Sequence, residues 1–283
     1  MRVARSRELV ARGRPATVVA TVAGISRQAI YRRPERPPKG QRRPLAAVDR
    51  EVLRVARENP TDGTRMVAAL ASREASGPVN RKRVQRLMRE HRLLQPKRSE
   101  ARRRRPGYFQ VTRPDELWHL DMTSVWVAEH GWCYLNAAID CRTREIAGWA
   151  LDVRCRAQEA TAVIDGAVAE RGIRTGALTL GTDNGTAYTS RAFRARLAEH
   201  GITHRRGGYR DPESQAFIES WFSKLKQRCV WREEFETLDE ARHAIDAYVD
   251  RYHHRPHSGL AYRTPREVAA TWKDHDDQSI PAA

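Results

Sequence analysis

A chain of 283 residues with 40% hydrophobic and 31% charged residues can bury a full catalytic core and a smaller domain beside it. It holds no run of about 18 apolar residues, which excludes a bilayer-spanning helix, and the opening MRVARSRELVARGR lacks the apolar stretch of a secretory leader. The net charge of +17 sits at the front: residues 1–113 carry 30 Lys and Arg against 9 Asp and Glu, residues 114–283 carry 22 against 26, and no amphipathic membrane anchor accompanies the basic part, so the expected partner is nucleic acid.

Residues 1–44 are expected to form a helix-turn-helix segment and a linker. In residues 16–33, Val18, Val19 and Val22 supply one apolar side, Gly24 breaks the first helix and Ser26 caps the next. The second helix would present Arg27, Gln28, Tyr31 and Arg32 outward to DNA; a plain helical hairpin has the same pattern. Proline and basic residues in 34–44 read as the linker.

Residues 45–95 read as a helical DNA-binding domain resembling a helix-turn-helix. Val48, Val52, Leu53, Val55 and Ala56 have helical spacing up to Asn59-Pro60, and Met66, Val67 and Leu70 mark a second helix. The third, capped by Asn80, is expected to bury Val84, Leu87, Met88 and Leu94. It exposes Arg81, Lys82, Arg83, Arg86 and Arg89 with no acid inside the helix before Glu90, so contact with phosphate is the economical reading. Residues 96–114, with Arg103 and Arg104, read as a basic tether along the DNA backbone.

From 115 to 272 strands and helices alternate. Strands are expected at 117–127, 131–139, 144–151, 177–182 and 202–206, and helices at 157–171, 190–200, 213–231 and 238–253, leaving 273–283 as a tail. The hairpins and later alternation predict a mixed sheet covered by helices, an α/β core behind an all-α front. Cys133, Cys141, Cys155 and Cys229 show no two-residue gap, which suits reduced thiols in a cytoplasmic protein. His253 and His257 lack a cysteine pair to complete a zinc site.

Three carboxylates carry the chemistry. Asp121 lies inside the apolar strand LWHLDMTS, where a charge is costly unless paired or bound to a metal. His119 shares its strand face and is either an active-site neighbour or a surface histidine. Asp183 follows the strand ALTLG at the sheet rim, held by the Asn184-Gly185 turn. Glu219 lies on the helix AFIESWFSKLK beside the stripe Ile218, Phe222 and Leu225, with Lys226 two turns on. Three acids on three elements can hold hard divalent cations. Asp140, after a strand, is a weaker candidate that reads better as a turn residue.

Asp121 in LWHLDMT, Asp183 in GTDNG and Glu219 in AFIESWFSKLK, with 35 residues between the last two, resemble the acidic triad of the retroviral-integrase superfamily. GWCYLNAAIDCRTREIAGWAL, RYHHRPHSGLAYRTPREV and NRKRVQRLMREH extend the likeness to insertion-sequence transposases whose second reading frame encodes an integrase core. The resemblance implies an RNase H-like fold and DDE transposase activity: cleavage and strand transfer at element ends with two Mg²⁺ ions, which Mn²⁺ can replace. It also implies a Lys226 contact with DNA, a homo-oligomer on double-stranded DNA and a partner from an upstream reading frame. Ser214-Gln215-Ala216 and Gly181-Thr182 depart from the usual Asp-Asn-Ala and His-Ser. Two other readings use the same residues: a nuclease of this fold that cuts without joining, and a non-catalytic DNA-binding regulator.

Overall fold

The computed structural model describes residues 2–31, 46–75, 77–95, 111–207 and 215–278. The expected contacts of Arg32, Arg103 and Arg104, and most of the linker and tether, lie outside them. The chain divides into two compact units, residues 1–46 and 47–283.

The first unit is three helices, α1 (Arg2–Ala11), α2 (Ala16–Ala23) and α3 (Arg27–Tyr31). Gly24 ends α2 in the left-handed conformation (φ 60°) that glycine adopts without a side-chain clash. Ser26 Oγ then accepts the Ala29 amide at 3.2 Å and starts α3. Arg27, Gln28 and Tyr31 are exposed as expected. The apolar side differs from the expectation: Val19, Ala20 and Ile30 form the core, whereas Val18 and Val22 are 57% and 84% exposed. The reason is α1, which the sequence reading did not assign; its Val10 packs on this cluster and selects the Val19 side of α2.

The second unit begins with α4 (Ala47–Glu58), α5 (Thr64–Glu74) and α6 (Arg81–Glu90). Val52, Val55, Val67, Ala71, Val84 and Leu87 are buried at their centre. The Asn80 side chain accepts the Lys82 amide and caps α6. Leu94 is exposed, contrary to expectation, because Arg92 (φ 57°) turns the chain after α6 and sends Leu93 inward instead.

The sheet is built from β1 (Leu117–Val127), β2 (Gly131–Asp140), β3 (Ile146–Asp152), β4 (Thr179–Thr182) and β5 (Thr203–Arg206), in the order β3-β2-β1-β4-β5. The first three pair antiparallel, while β4 and β5 join parallel to β1. A parallel neighbour needs a crossover, and α7 (Ala157–Arg171) supplies the one from β3 to β4. Between β4 and β5 run α8 (Thr186–Thr189) and α9 (Arg191–Glu199), where a single helix over 190–200 was expected. Next come α10 (Ala216–Arg228), α11 (Leu238–His253) and α12 (Pro265–Gln278). The helix expected over 213–231 stops at Arg228, since Cys229 leaves helical geometry (φ −130°, ψ −76°) and a 3-10 turn follows over Val230–Arg232.

Strand alternation splits β1 between two cores. Trp118 and Leu120 pack with Ile164 of α7 and with Phe193 and Leu197 of α9. Val125 and Val127 face the other layer, where Trp221 and Leu225 of α10 meet Ile245 and Tyr252 of α11. The result is a mixed five-stranded sheet between helical layers, the RNase H-like arrangement that the resemblance implied. Among the described residues no helix is long and apolar enough to cross a membrane.

Candidate active site

Asp121 sits in the middle of β1, opposite Ala137 of β2 and two residues beyond the stretch paired with β4. Its Oδ1 accepts the Met122 amide at 2.7 Å. Burial and then the negative charges of Asp183 and Glu219 raise its pKa from the ordinary carboxylate value to about 6, although the Met122 hydrogen bond acts the other way. Two acids from elsewhere in the chain therefore act on a carboxylate inside the sheet.

Asp183 follows the last residue of β4. Its Oδ1 accepts the Gly185 amide at 2.8 Å and closes the turn into α8, while the Asn184 side chain donates to Gly207 O at 3.0 Å. Glu219 is exposed in the first turn of α10. The placement follows from the stripe Ile218, Trp221, Phe222 and Leu225, which buries one side of the helix and leaves Glu219 and Lys226 off it.

Among the described residues no three His, Cys, Asp or Glu side chains are gathered closely enough to form a metal-ligand group. The donor set nevertheless suits a hard cation. Three carboxylates supply only oxygen, and one oxygen of Asp121, one of Asp183 and both of Glu219 have no hydrogen-bond partner among the described residues. A half-buried carboxylate made harder to ionise by two acidic neighbours is an environment that a cation would relieve.

Of the two readings of His119, the structure excludes the surface histidine. It is 3% exposed, with its ring stacked on Phe217 at 6.1 Å between centroids and Nδ1 without a partner. Burial first, then Arg144 and Arg205, lower its pKa to about 4, so it is neutral. It is enclosed beneath the site rather than open to substrate. Asp140 is a turn residue: completely buried, it accepts the amides of Asp115, Arg142 and Thr143 at 2.7, 2.6 and 2.9 Å.

The basic candidates separate into two kinds. Arg81, Lys82 and Arg86 are exposed on α6, with Arg86 loosely paired to Glu90 at 3.9 Å. Arg83 instead donates Nε to the largely buried Asp49 at 2.6 Å and ties α6 to α4. Lys226 is half-buried on α10. A feature the sequence did not announce is Arg144, whose guanidinium lies 3.1 Å from the Phe217 ring centroid and so joins the β2–β3 turn to the start of α10.

The integrase core domain matches residues 111–212, and a second integrase core domain model matches 200–265, so the two together take in Asp121, Asp183 and Glu219. The chain carries an integrase core. An HTH-like domain matches residues 44–105 ahead of this core. Among its relatives, transposase InsD for insertion element IS2-9 of Escherichia coli is 29% identical over 94% of this chain and 92% of its own length. The transposase for insertion sequence element IS904 of Lactococcus lactis is 31% identical over 56% of this chain, which spans 63% of that protein. In fold, the integrase-core chain aligns at a TM-score of 0.50 and 16% identity with a chain of the simian T-cell lymphotropic virus intasome in complex with PP2A regulatory subunit B56 gamma. That match covers 76% of this chain and 73% of the other.

Proposed function

We propose that this integrase-core chain is a DDE transposase that cuts DNA at the ends of an insertion sequence and joins the freed ends to a target duplex. The observation that carries the reading is that Asp121 on β1, Asp183 at the rim of β4 and Glu219 on α10 all fall within the residues that match integrase core domains. The transposase relatives that align over nearly the whole chain support the substrate class.

Asp121, Asp183 and Glu219 would hold two Mg²⁺ ions, with Mn²⁺ as a substitute. When bound, these cations stabilise charge on the attacking and leaving oxygens of an in-line displacement. In the first step water adds its oxygen to phosphorus as the P–O3′ bond breaks, leaving a 3′-OH. In the second that 3′-OH attacks a phosphodiester of the target as the target's own P–O3′ bond breaks, and the oxygen released takes up a proton as a new target 3′-OH, so no covalent enzyme intermediate forms.

The chain's own residues provide position. Asp121 is fixed by the sheet and by the Met122 amide, and Asp183 by the Gly185 amide. Lys226, two turns along α10 from Glu219, takes a DNA phosphate close to the reacting one. Arg81, Lys82 and Arg86 grip the backbone from α6, with Arg83 setting the angle of that helix through Asp49. Arg103 and Arg104 extend the grip. The protein works in the cytoplasm as a homo-oligomer on paired element ends.

The test is a cleavage and joining assay on duplexes carrying the element ends, in Mg²⁺ and in Mn²⁺. Asp121→Asn, Asp183→Asn and Glu219→Gln each abolish both steps while duplex binding persists. Full strand transfer by any one of them refutes the assignment, and cleavage by the parent chain without joined product identifies a nuclease instead.

A further inference from the structure

The turn between α4 and α5 meets the ends of α10 and α11 at a cavity of about 230 Å³ that the strand-transfer chemistry does not use. Four arginines line it: Arg228 and Arg232 from the end of α10 and the turn beyond, and Arg251 and Arg255 from α11 and just past it. Tyr248 lines it too. This tyrosine is 5% exposed, and its hydroxyl has no hydrogen-bond partner. Arg255 Nε is likewise buried and unpartnered. Buried donors are ordinarily satisfied, so two orphans on one cavity require an acceptor.

The nearby carboxylates do not supply it. Glu58, on the cavity wall, is held by Arg54 at 2.6 and 2.8 Å. Asp62, behind the wall, takes Arg228 at 2.6 Å on one oxygen and Arg255 on the other. Arg232 spends Nε on Gln227 O at 3.1 Å, and neither Arg232 nor Arg251 has an ion pair among the described residues. The cavity is left with a surplus of positive charge and with unused donors on α11 and on the turns that follow α10 and α11. Its volume takes a phosphate group with its waters, and guanidinium groups match phosphate oxygens two at a time.

We infer that this cavity is a phosphate site, filled by a backbone phosphate of DNA or by free phosphate. Its place gives it a consequence. Its walls come from the α4–α5 turn (Glu58–Thr61) and from the ends of α10 and α11, so an anion there lies between the two. The inference is independent of strand transfer and is tested without it.

Thermal unfolding of the full chain is followed in inorganic phosphate and in chloride at equal ionic strength. Phosphate gives a saturable rise in Tm that chloride does not, as expected for a ligand that binds only the folded state. The double variant Arg232→Ala/Arg251→Ala removes two exposed side chains and abolishes that rise. Tyr248→Phe weakens it while leaving the phosphate-free Tm unchanged or higher, since the hydroxyl removed has no partner. In a second arm the double variant is titrated with duplex DNA. A lower affinity, with a salt slope shallower by roughly two, assigns the site to the DNA backbone; unchanged duplex binding with a lost phosphate response assigns it to free phosphate. An equal rise in chloride, or a full phosphate response in the double variant, overturns the inference.

Discussion

His119 and Gly181 face each other across the parallel pairing of β1 and β4, and a Cβ on residue 181 would stand 2.7 Å from His119 Cδ2. The glycine is there for space, and the histidine is what takes that space. A larger residue at 181, such as the histidine of the family pattern, cannot coexist with His119 as placed. Gly181→Ala is therefore expected to destabilise the fold by about 1–3 kcal/mol through overpacking. In urea unfolding, adding the alanine to a His119→Ala background should cost clearly less than adding it to the parent. Equal costs in the two backgrounds would show that His119 is not the obstacle.

Asp62 and Arg73 both tie the first three helices of the second unit to the core, and they should differ sharply in worth. Asp62 has a side chain only 3% exposed and holds both Arg228 and Arg255. Its loss leaves two half-buried guanidinium groups without their carboxylate, so Asp62→Ala should cost about 3–5 kcal/mol. Arg73 makes a two-pronged bond to Glu267 at 2.7 and 2.8 Å, but the pair is over 40% exposed on each side, so Arg73→Ala should cost no more than about 1 kcal/mol. Denaturant unfolding ranks the two, and a larger loss from Arg73→Ala would reverse the account.

His253 gives a sign to the pH dependence of stability. Its Nε2 accepts the Ile146 amide at 2.9 Å in a buried setting, which requires the neutral ring. Burial, then Arg266, Arg171 and His254, lower its pKa from 6.5 to about 4, against a small opposing effect of Asp250. Between those values the unfolded chain binds the proton and the folded chain does not, so stability falls as pH drops from about 6.5 to about 4. The full effect is about 3 kcal/mol at 1.36 kcal/mol per pH unit. His253→Gln keeps an acceptor for the amide and removes the titration. Unfolding measured from pH 7 to pH 4 should then fall less steeply in the variant than in the parent; identical slopes would reject the assignment.

The same residues indicate how far the sequence could be read. The sheet was legible because alternation in 117–127 and 131–139 is a local property, and so was the placement of Asp121, Asp183 and Glu219 on strand, rim and helix. The α12 helix was legible too: Thr264 and Glu267 form reciprocal backbone bonds of 3.0 and 2.8 Å around Pro265, a helix start that the reading passed over. By contrast α1 interleaves Val3, Leu9 and Val10 with Arg2, Arg5, Arg7 and Glu8 and acquires its role only by covering Val19. The enclosure of His119 depends on Phe217, and the docking of Asp62 depends on arginines 166 and 193 residues away. Neither contact has a signature in local spacing. Arg83 read as a free cation because its acid lies on another helix, 34 residues earlier.

Asp183 depends on its turn as much as Asp121 depends on its strand. Gly185 donates its amide to Asp183 Oδ1, and a Cβ on Gly185 would lie 3.0 Å from that same oxygen and 3.4 Å from Tyr188 Cδ2. The backbone at 185 (φ −57°, ψ 147°) suits alanine, so Gly185→Ala should fold with a Tm close to the parent's. The new methyl instead presses the carboxylate out of line, and under the proposed function tenths of an ångström there are costly. Cleavage and joining should fall by about tenfold with little change in duplex affinity. Asp183→Asn in the same assay sets the floor, and Gly185→Ala should lie between it and the parent. Parent-level activity in Gly185→Ala would mean that the turn does not hold Asp183 in its working position.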